Sequence, residues 1–426
     1  MQSFQIPFMI LWGKGDEVLM EQVNVQFQQP PRFALHSKMF RIFISGSLVT
    51  RVGDWMDLVA LNWAVLQFTN SPIFLGLINA CRLIPTFLLS VPAGILADRY
   101  DRRRLLILIQ IGMMFLTFSL AYLVEMKQTF WLFVFIVILR SILAAMDPPI
   151  RNAYVPDLVP ESLMTSAIAI NTTIIHLARI VGPALAGMLL TVTDIENLFY
   201  INAWGTLGVL VSLIMIQSDS VSNSSKKDSE KPTLREAADY VRRQQSVQSL
   251  LILSVVPMVF GFPYTTMMPL FARDLLNLGP EGFGILLSIS SVGALIGTAW
   301  LSLGKEIKDA GKWLIYSIMG FGLSLLLFIG TTNVLIAGVA MFLVGLTSQT
   351  YRTMSRITLQ MHVPNHLRGR ILSIALMDRG FIPLGALLIG AIATWAGTLW
   401  AGALMGIGCI AITLIIVTRR RQIWYL

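Results

Sequence analysis

From Phe40 to the C-terminus the chain alternates long apolar stretches with short polar turns, and most stretches approach or exceed the roughly 20 residues that a helix needs to cross a bilayer. The pattern predicts twelve spans, at 40–68, 73–97, 104–124, 130–148, 164–191, 195–217, 249–272, 282–303, 312–331, 333–355, 368–394 and 397–418. Helices are predicted because lipid leaves no partner for an unpaired peptide group, so each span must satisfy its own backbone. An even number of spans puts both chain ends on one side.

The polar turns are not alike. Arg99 to Arg104, Arg151, Lys226 to Lys231, Arg242, Arg243, Lys305 to Lys312, Arg368, Arg370 and Arg419 to Arg421 all fall on one side of the predicted zigzag. The opposite turns hold little beyond Lys127 and Arg273. Short loops rich in Lys and Arg stay on the cytoplasmic side, so both termini are expected in the cytoplasm and the chain in the inner (plasma) membrane. The domain reading is a tail at 1–39, a six-helix bundle at 40–217, a linker at 218–248, a second six-helix bundle at 249–418 and a short tail at 419–426. Within the linker, Leu234 to Gln245 has the pattern of a short amphipathic surface helix. In the first tail, Ile6 to Trp12 is apolar but too short to cross, and Asp16 and Glu17 follow it without a basic segment before it. It reads as a dispensable tail rather than a signal peptide, with Met20 or Met39 as alternative starts.

Composition agrees: 55% of residues are hydrophobic and 13% charged, with a mean hydropathy of +0.71, where soluble domains carry about 25% charged residues. The net charge of +9 resides in the loops of one side, so it marks topology and not nucleic-acid binding. Cys81 and Cys409 lie singly inside apolar stretches and form neither a disulfide framework nor a metal set. There is no Gly-Lys-Ser/Thr phosphate loop, and no Cys-x-x-Cys or His-x-x-x-His ligand pair outside the Pro364 loop, where His362 and His366 are read as solvated. No cofactor, no metal and no enzymatic reaction are expected.

The halves echo each other. Val159-Pro160-Glu161-Ser162-Leu163 before span 5 matches Val363-Pro364-Asn365-His366-Leu367 before span 11, and each is followed by a Gly pair, Gly182 with Gly187 and Gly385 with Gly390. An internal repeat of this kind is a common construction of secondary transporters.

Charges inside the spans are few and therefore informative. Span 1 carries Arg51, Asp54 and Asp57, span 2 Arg82, span 4 Arg140, span 5 His176 and Arg179, and span 11 Asp378 and Arg379. They are read as structural ion pairs or as the lining of a wet cavity. The arginines do not titrate at physiological pH. The carboxylates are the candidates for carrying a proton, Asp54 first and Asp57 second. Asp378, Arg82 and Arg140 complete the candidate coupling set. Pro257, Pro263 and Tyr264 predict a bend in span 7 beside the pathway, and 21 Met and ten Trp suit an adaptable apolar cavity.

The hairpin Gly94-Ile95-Leu96-Ala97-Asp98-Arg99-Tyr100-Asp101-Arg102-Arg103-Arg104 resembles the loop motif between helices 2 and 3 of the major facilitator superfamily. The usual second Gly is Asp101 here, which is closer to the enterobactin-exporter-like branch, as is Gly53-Asp54-Trp55 in span 1. Arg179-Ile180-Val181-Gly182-Pro183-Ala184-Leu185-Ala186-Gly187 in span 5 resembles the antiporter motif of exporters in that superfamily. On the residues alone it is ordinary close packing of small side chains. The resemblance covers nearly the whole chain after Phe40. It implies an all-α membrane fold of twelve helices in two bundles, working by alternating access as a monomer. It also implies that Asp98 docks on the start of span 11 when the cytoplasmic side is shut, with Gly94, Arg99, Arg102 and Arg103 in the same gate and Asp147 completing its charge cluster. The expected activity is proton-coupled export of an amphipathic or lipophilic small molecule, drug or siderophore-like, with substrate, protons and the lipid bilayer as partners. The alternatives are a lipid or lysolipid flippase on the same scaffold and a non-transporting membrane sensor or scaffold.

Overall fold

A computed structural model describes residues 33–127, 129–216, 234–303 and 309–425. The tail before residue 33, the linker up to residue 233 with Lys226 and Lys231, and the loop lysines Lys305 and Lys308 lie outside the described residues.

Twelve long helical segments run through the described chain. Spans 1 to 6 are Lys38–Thr69, Pro72–Arg99, Arg102–Glu125, Phe130–Tyr154, Met164–Leu189 and Ile195–Met215. Span 7 is Gln245–Val256, a π-turn at Pro257–Gly261 and Tyr264–Leu276, so the helix is interrupted where the bend is expected. Spans 8 to 10 are Pro280–Leu303, Ala310–Ile329 and Val334–Met361. Span 11 is Asn365–Leu376, a 3-10 turn at Met377–Phe381 and Ile382–Ala396, and span 12 is Thr398–Arg419. A surface helix covers Leu234–Arg243. By length and hydropathy eleven helices among the described residues qualify as membrane spans; Lys38–Thr69 carries Arg51, Asp54 and Asp57, packs on spans 5 and 6, and turns those charges toward charged side chains of spans 2 and 4. Large apolar side chains such as Phe115, Leu335 and Trp395 point outward, as lipid-facing positions require.

Local signals set the helix ends. Ser37 accepts the backbone N–H of Phe40 at 3.4 Å and donates to the carbonyl of Leu158 at 3.0 Å, which ties the start of span 1 to the end of span 4. Asp101 caps span 3, accepting from the Arg104 N–H at 2.8 Å. A carboxylate at a helix N-terminus satisfies an orphan donor and the dipole together. This accounts for an Asp where the resembled motif has Gly. Spans 1 and 7 both stop at an Asn in the left-handed region, Asn70 and Asn277, and spans 2 and 8 both begin on a proline, Pro72 and Pro280, where a missing N–H costs nothing.

Two boundaries differ from expectation by well over a turn, the end of span 10, at Met361 and not 355, and the end of span 4. Span 4 does not end at 148 but runs through Pro148 and Pro149 to Tyr154. Those last turns are held by burial of Ile150 and Tyr154 and by Arg151 reaching back one turn to Asp147. Arg151 is thus a buried residue, 2% exposed, and not a loop charge.

The packing has a twofold internal symmetry. Span 2 packs on span 4 as span 8 packs on span 10, and span 3 meets spans 4 and 6 as span 9 meets spans 10 and 12. Between the halves, span 5 packs on span 8 and the later part of span 11 packs on span 2. These two seams are equivalent by the repeat.

Candidate functional site: a charged interior between two seams

The N-terminal half buries an ion network. Arg140 Nη1 donates to Asp57 Oδ2 at 2.6 Å, with side chains 11% and 4% exposed. Asp54, one turn before Asp57, makes no direct ion pair among the described residues but lies within electrostatic reach of Arg140, Asp147, Asp57 and Arg151. Arg82 acts on both Asp57 and Asp54. Deeper toward the arginine-rich hairpin, Asp147 accepts two hydrogen bonds from Arg151, at 2.7 and 2.8 Å, and one from Gln110 at 2.7 Å, while Arg151 also donates to Ser47 at 3.0 Å. Asp147 is therefore a partner of Arg151 inside the bundle and does not join the hairpin arginines. The network is incompletely satisfied: Asp57 Oδ1, Arg140 Nε and Arg51 Nε are buried without a hydrogen bond.

The hairpin is anchored by two of its four arginines. Arg102 donates to the carbonyls of Ala97 and Ala153, both at 3.0 Å, and to both oxygens of Asp157, at 2.9 and 2.8 Å. Its main acidic partner is Asp157, which sequence reasoning did not single out. Arg103 donates to the last-turn carbonyls of span 6, Leu213 at 2.6 Å and Ile214 at 3.0 Å, a cation at a helix C-terminus. Asp98 is 70% exposed and 3.9 Å from Arg102; it is not docked on span 11. A Cβ added at Gly94 or at Gly369 of span 11 would meet nothing within 4 Å. On this basic face the two halves stand apart.

At the far face they are pressed together. A Cβ at Gly187 would lie 2.9 Å from the Pro280 carbonyl oxygen, and in the other seam a Cβ at Gly390 would lie 2.8 Å from the Pro72 oxygen. Gly284 meets the Pro183 oxygen and Gly76 meets the Ala386 oxygen in the same reciprocal fashion. Both Gly pairs read in spans 5 and 11 contribute a member to this contact, because only glycine lets backbones come this close. Gly182 packs instead against span 1, near Val52 O and Trp55. Ser288 donates to the Ile180 carbonyl at 2.6 Å, Arg273 donates to Asn70 Oδ1 at 2.7 Å, and Trp63 stacks on Phe283 at 6.4 Å across the same boundary.

In the C-terminal half a cavity of about 220 Å³ is lined by Tyr351, Arg352 and Arg356 of span 10, Asp378 and Arg379 of the span 11 break, and Met258 of span 7. Arg352 lies over the Phe262 ring at 5.0 Å, and Arg179 of span 5 over Trp55 at 5.6 Å. Arg179 is close enough to repel Arg352 across the boundary between halves. Arg352 and Arg356 were not among the residues expected from sequence. Two arginines four apart in the apolar span 10 were the available signal, since that spacing puts them on one helix face. Among the described residues no group of His, Cys, Asp and Glu is placed to hold a metal.

A helical shell with an apolar exterior, a charged interior and paired seams at one end defines a multi-pass membrane transporter. Residues 31–423 match the family described as transmembrane secretion effector, and the chain belongs to that family of the major facilitator superfamily. It is 33% identical over 389 residues to the staphyloferrin A transporter of Staphylococcus aureus, covering 90% of this chain and 97% of that one. It is 23% identical to macrolide efflux protein A of Streptococcus pyogenes, over 81% and 86% of the two chains. Among solved structures, a single-residue variant of the nucleoside transporter NupG superposes with a TM-score of 0.72 at 12% identity, covering 89% of this chain and 99% of that one; this likeness concerns the fold.

Proposed function

We propose that the protein exports a small amphipathic molecule from the cytoplasm in exchange for protons, by alternating access of its two halves in the inner membrane, with both termini cytoplasmic. The observation that carries this reading is the buried Asp57–Arg140 pair with Asp54 beside it, in a protein sealed at one face by glycine seams and parted at the other. A scaffold gains nothing from ionisable groups in the membrane interior, which are expensive there. In an exchanger they are the means by which a proton changes the balance between two conformations. The basic face is taken as cytoplasmic by the positive-inside rule, so the form described here faces inward. Asp98 docks on the start of span 11 in the opposite form, Arg102 and Arg103 hold the hairpin rigid, and Gly94 gives clearance. Gly187 and the Pro183 carbonyl, which meets Gly284, make span 5 the element that closes the periplasmic side, while Gly182 seats span 5 on span 1 and Arg179 reaches toward the cavity of the other half. The sequence relatives support a cargo of the siderophore or drug kind. The test of direction is accumulation of a fluorescent efflux substrate in cells lacking their own pumps. Expression should lower accumulation, and a protonophore should abolish the difference; higher accumulation than in control cells would make the chain an importer.

A further inference from the structure

The two halves handle charge differently. In the N-terminal half Arg51, Arg82, Arg140 and Arg151 face Asp54, Asp57 and Asp147, so the network is close to balance. Around the C-terminal cavity Arg352, Arg356 and Arg379 have one carboxylate, Asp378, among them, and Arg179 adds a further positive charge from across the boundary. Among the described residues none of these four arginines forms a hydrogen bond or close ion pair with a protein acceptor. Arg352 and Arg179 are partly buried, while Arg356 and Arg379 present their guanidinium groups to the open cavity, and like charges gathered around one cavity favour an anion between them.

The arrangement also selects the kind of anion. Arg352 on Phe262 and Arg179 on Trp55 lie with the guanidinium over an aromatic face, which orients the group while leaving its donor edges free. Those edges match a carboxylate two bonds at a time. Arg379 sits at the 3-10 break of span 11, a discontinuity of the sort that marks substrate sites in such proteins. We propose that this cavity binds a small organic anion bearing at least two carboxylate groups, held by Arg352, Arg356 and Arg379 and completed by Arg179. The inference rests on the transport reading for its purpose, since it names the cargo of the same pathway. The site itself is defined by its charge. Because Arg179 belongs to the other half, the cargo bridges the two parts that move.

Citrate is the probe. Titration calorimetry on the full-length protein in phosphatidylcholine nanodiscs should show saturable binding that weakens as potassium chloride is raised. Arg352→Gln and Arg379→Gln should each lower affinity by about tenfold or more, and Arg352→Lys, which keeps the charge and loses the fork, should fall between. Retention of the wild-type elution volume and melting temperature identifies folded variants, and the Lys form keeps the test available should a Gln form fail. Absence of saturable citrate binding at millimolar concentration, equal binding of the uncharged citrate triamide, or undiminished binding in Arg352→Gln and Arg379→Gln would overturn the proposal. Tighter binding of pyrophosphate would overturn the carboxylate assignment, and loss of citrate affinity on substituting phosphatidylglycerol would assign the cavity to a lipid headgroup. Equilibrium binding needs no gradient. Failure of proton coupling would leave it intact, and failure to bind citrate would leave proton-coupled export standing.

Discussion

Gly187→Ala adds one methyl at the seam between spans 5 and 8, and its effect can be worked from the contacts. The new Cβ would stand 2.9 Å from the Pro280 oxygen and 3.0 Å from both Cα and O of Glu281. All three are backbone atoms, so no side chain can rotate away and span 5 or span 8 must shift by several tenths of an ångström. Overpacking of this kind costs about 1–3 kcal/mol. The cost falls on the far-closed form alone, because the seam parts when that face opens. A differential of that size moves the balance between the two forms by roughly 5- to 150-fold. The assay is pulsed electron-electron resonance between spin labels at Lys127→Cys and Thr332→Cys, at the far ends of the two halves, in a background with Cys81 and Cys409 replaced by Ser. The variant should gain a long-distance population that is small in the unsubstituted background. Gly205→Ala, whose Cβ would sit 3.6 Å from Val49 in ordinary contact inside one half, should leave the distribution unchanged. An unaltered distribution in Gly187→Ala and also in its seam partner Gly284→Ala would refute the claim that these glycines set the far-closed state.

Two further predictions concern the charges. Asp57→Asn and Arg140→Gln each strand a buried charge, a loss of about 3–5 kcal/mol for a pair of this kind, so each should lower the melting temperature of the purified protein while the double variant regains most of it. Additive losses in the double variant would show that the pair is not coupled. Asp98→Asn should lower disulfide crosslinking between Tyr100→Cys and His366→Cys under conditions that close the basic face, since it removes charge from the docking partner of a helix N-terminus; unchanged yield with normal transport would count against docking.

Much of this was legible in the sequence because lipid imposes few solutions. Most span boundaries lie within about a turn of those expected from hydropathy, and the repeat seen in Gly182–Gly187 and Gly385–Gly390 reappears as two equivalent seams. Span 4 was cut short because Pro148 and Pro149 signal a stop, whereas burial of Ile150 and Tyr154 and the Asp147–Arg151 pair override it. The same error placed Arg151 in a loop and sent Asp147 to the hairpin. The role of Asp157 depends on the chain turning back beside Arg102, a tertiary fact without local signature. Span 11 reads as one apolar stretch, so its break at Met377–Phe381 was hidden. With it was hidden the meeting of Arg379 with Arg352 and Arg356.

Proton coupling through span 1 is the central claim, and proton counterflow in proteoliposomes tests it most directly. Protein is reconstituted with a pH-sensitive dye inside, and an outward-directed gradient of the exported compound is imposed. Wild type should bring protons in as cargo leaves. Asp54→Asn or Asp57→Asn should abolish or sharply reduce that flow, because the amide keeps size and polarity but cannot carry a proton. Undiminished counterflow in both single variants would contradict the account.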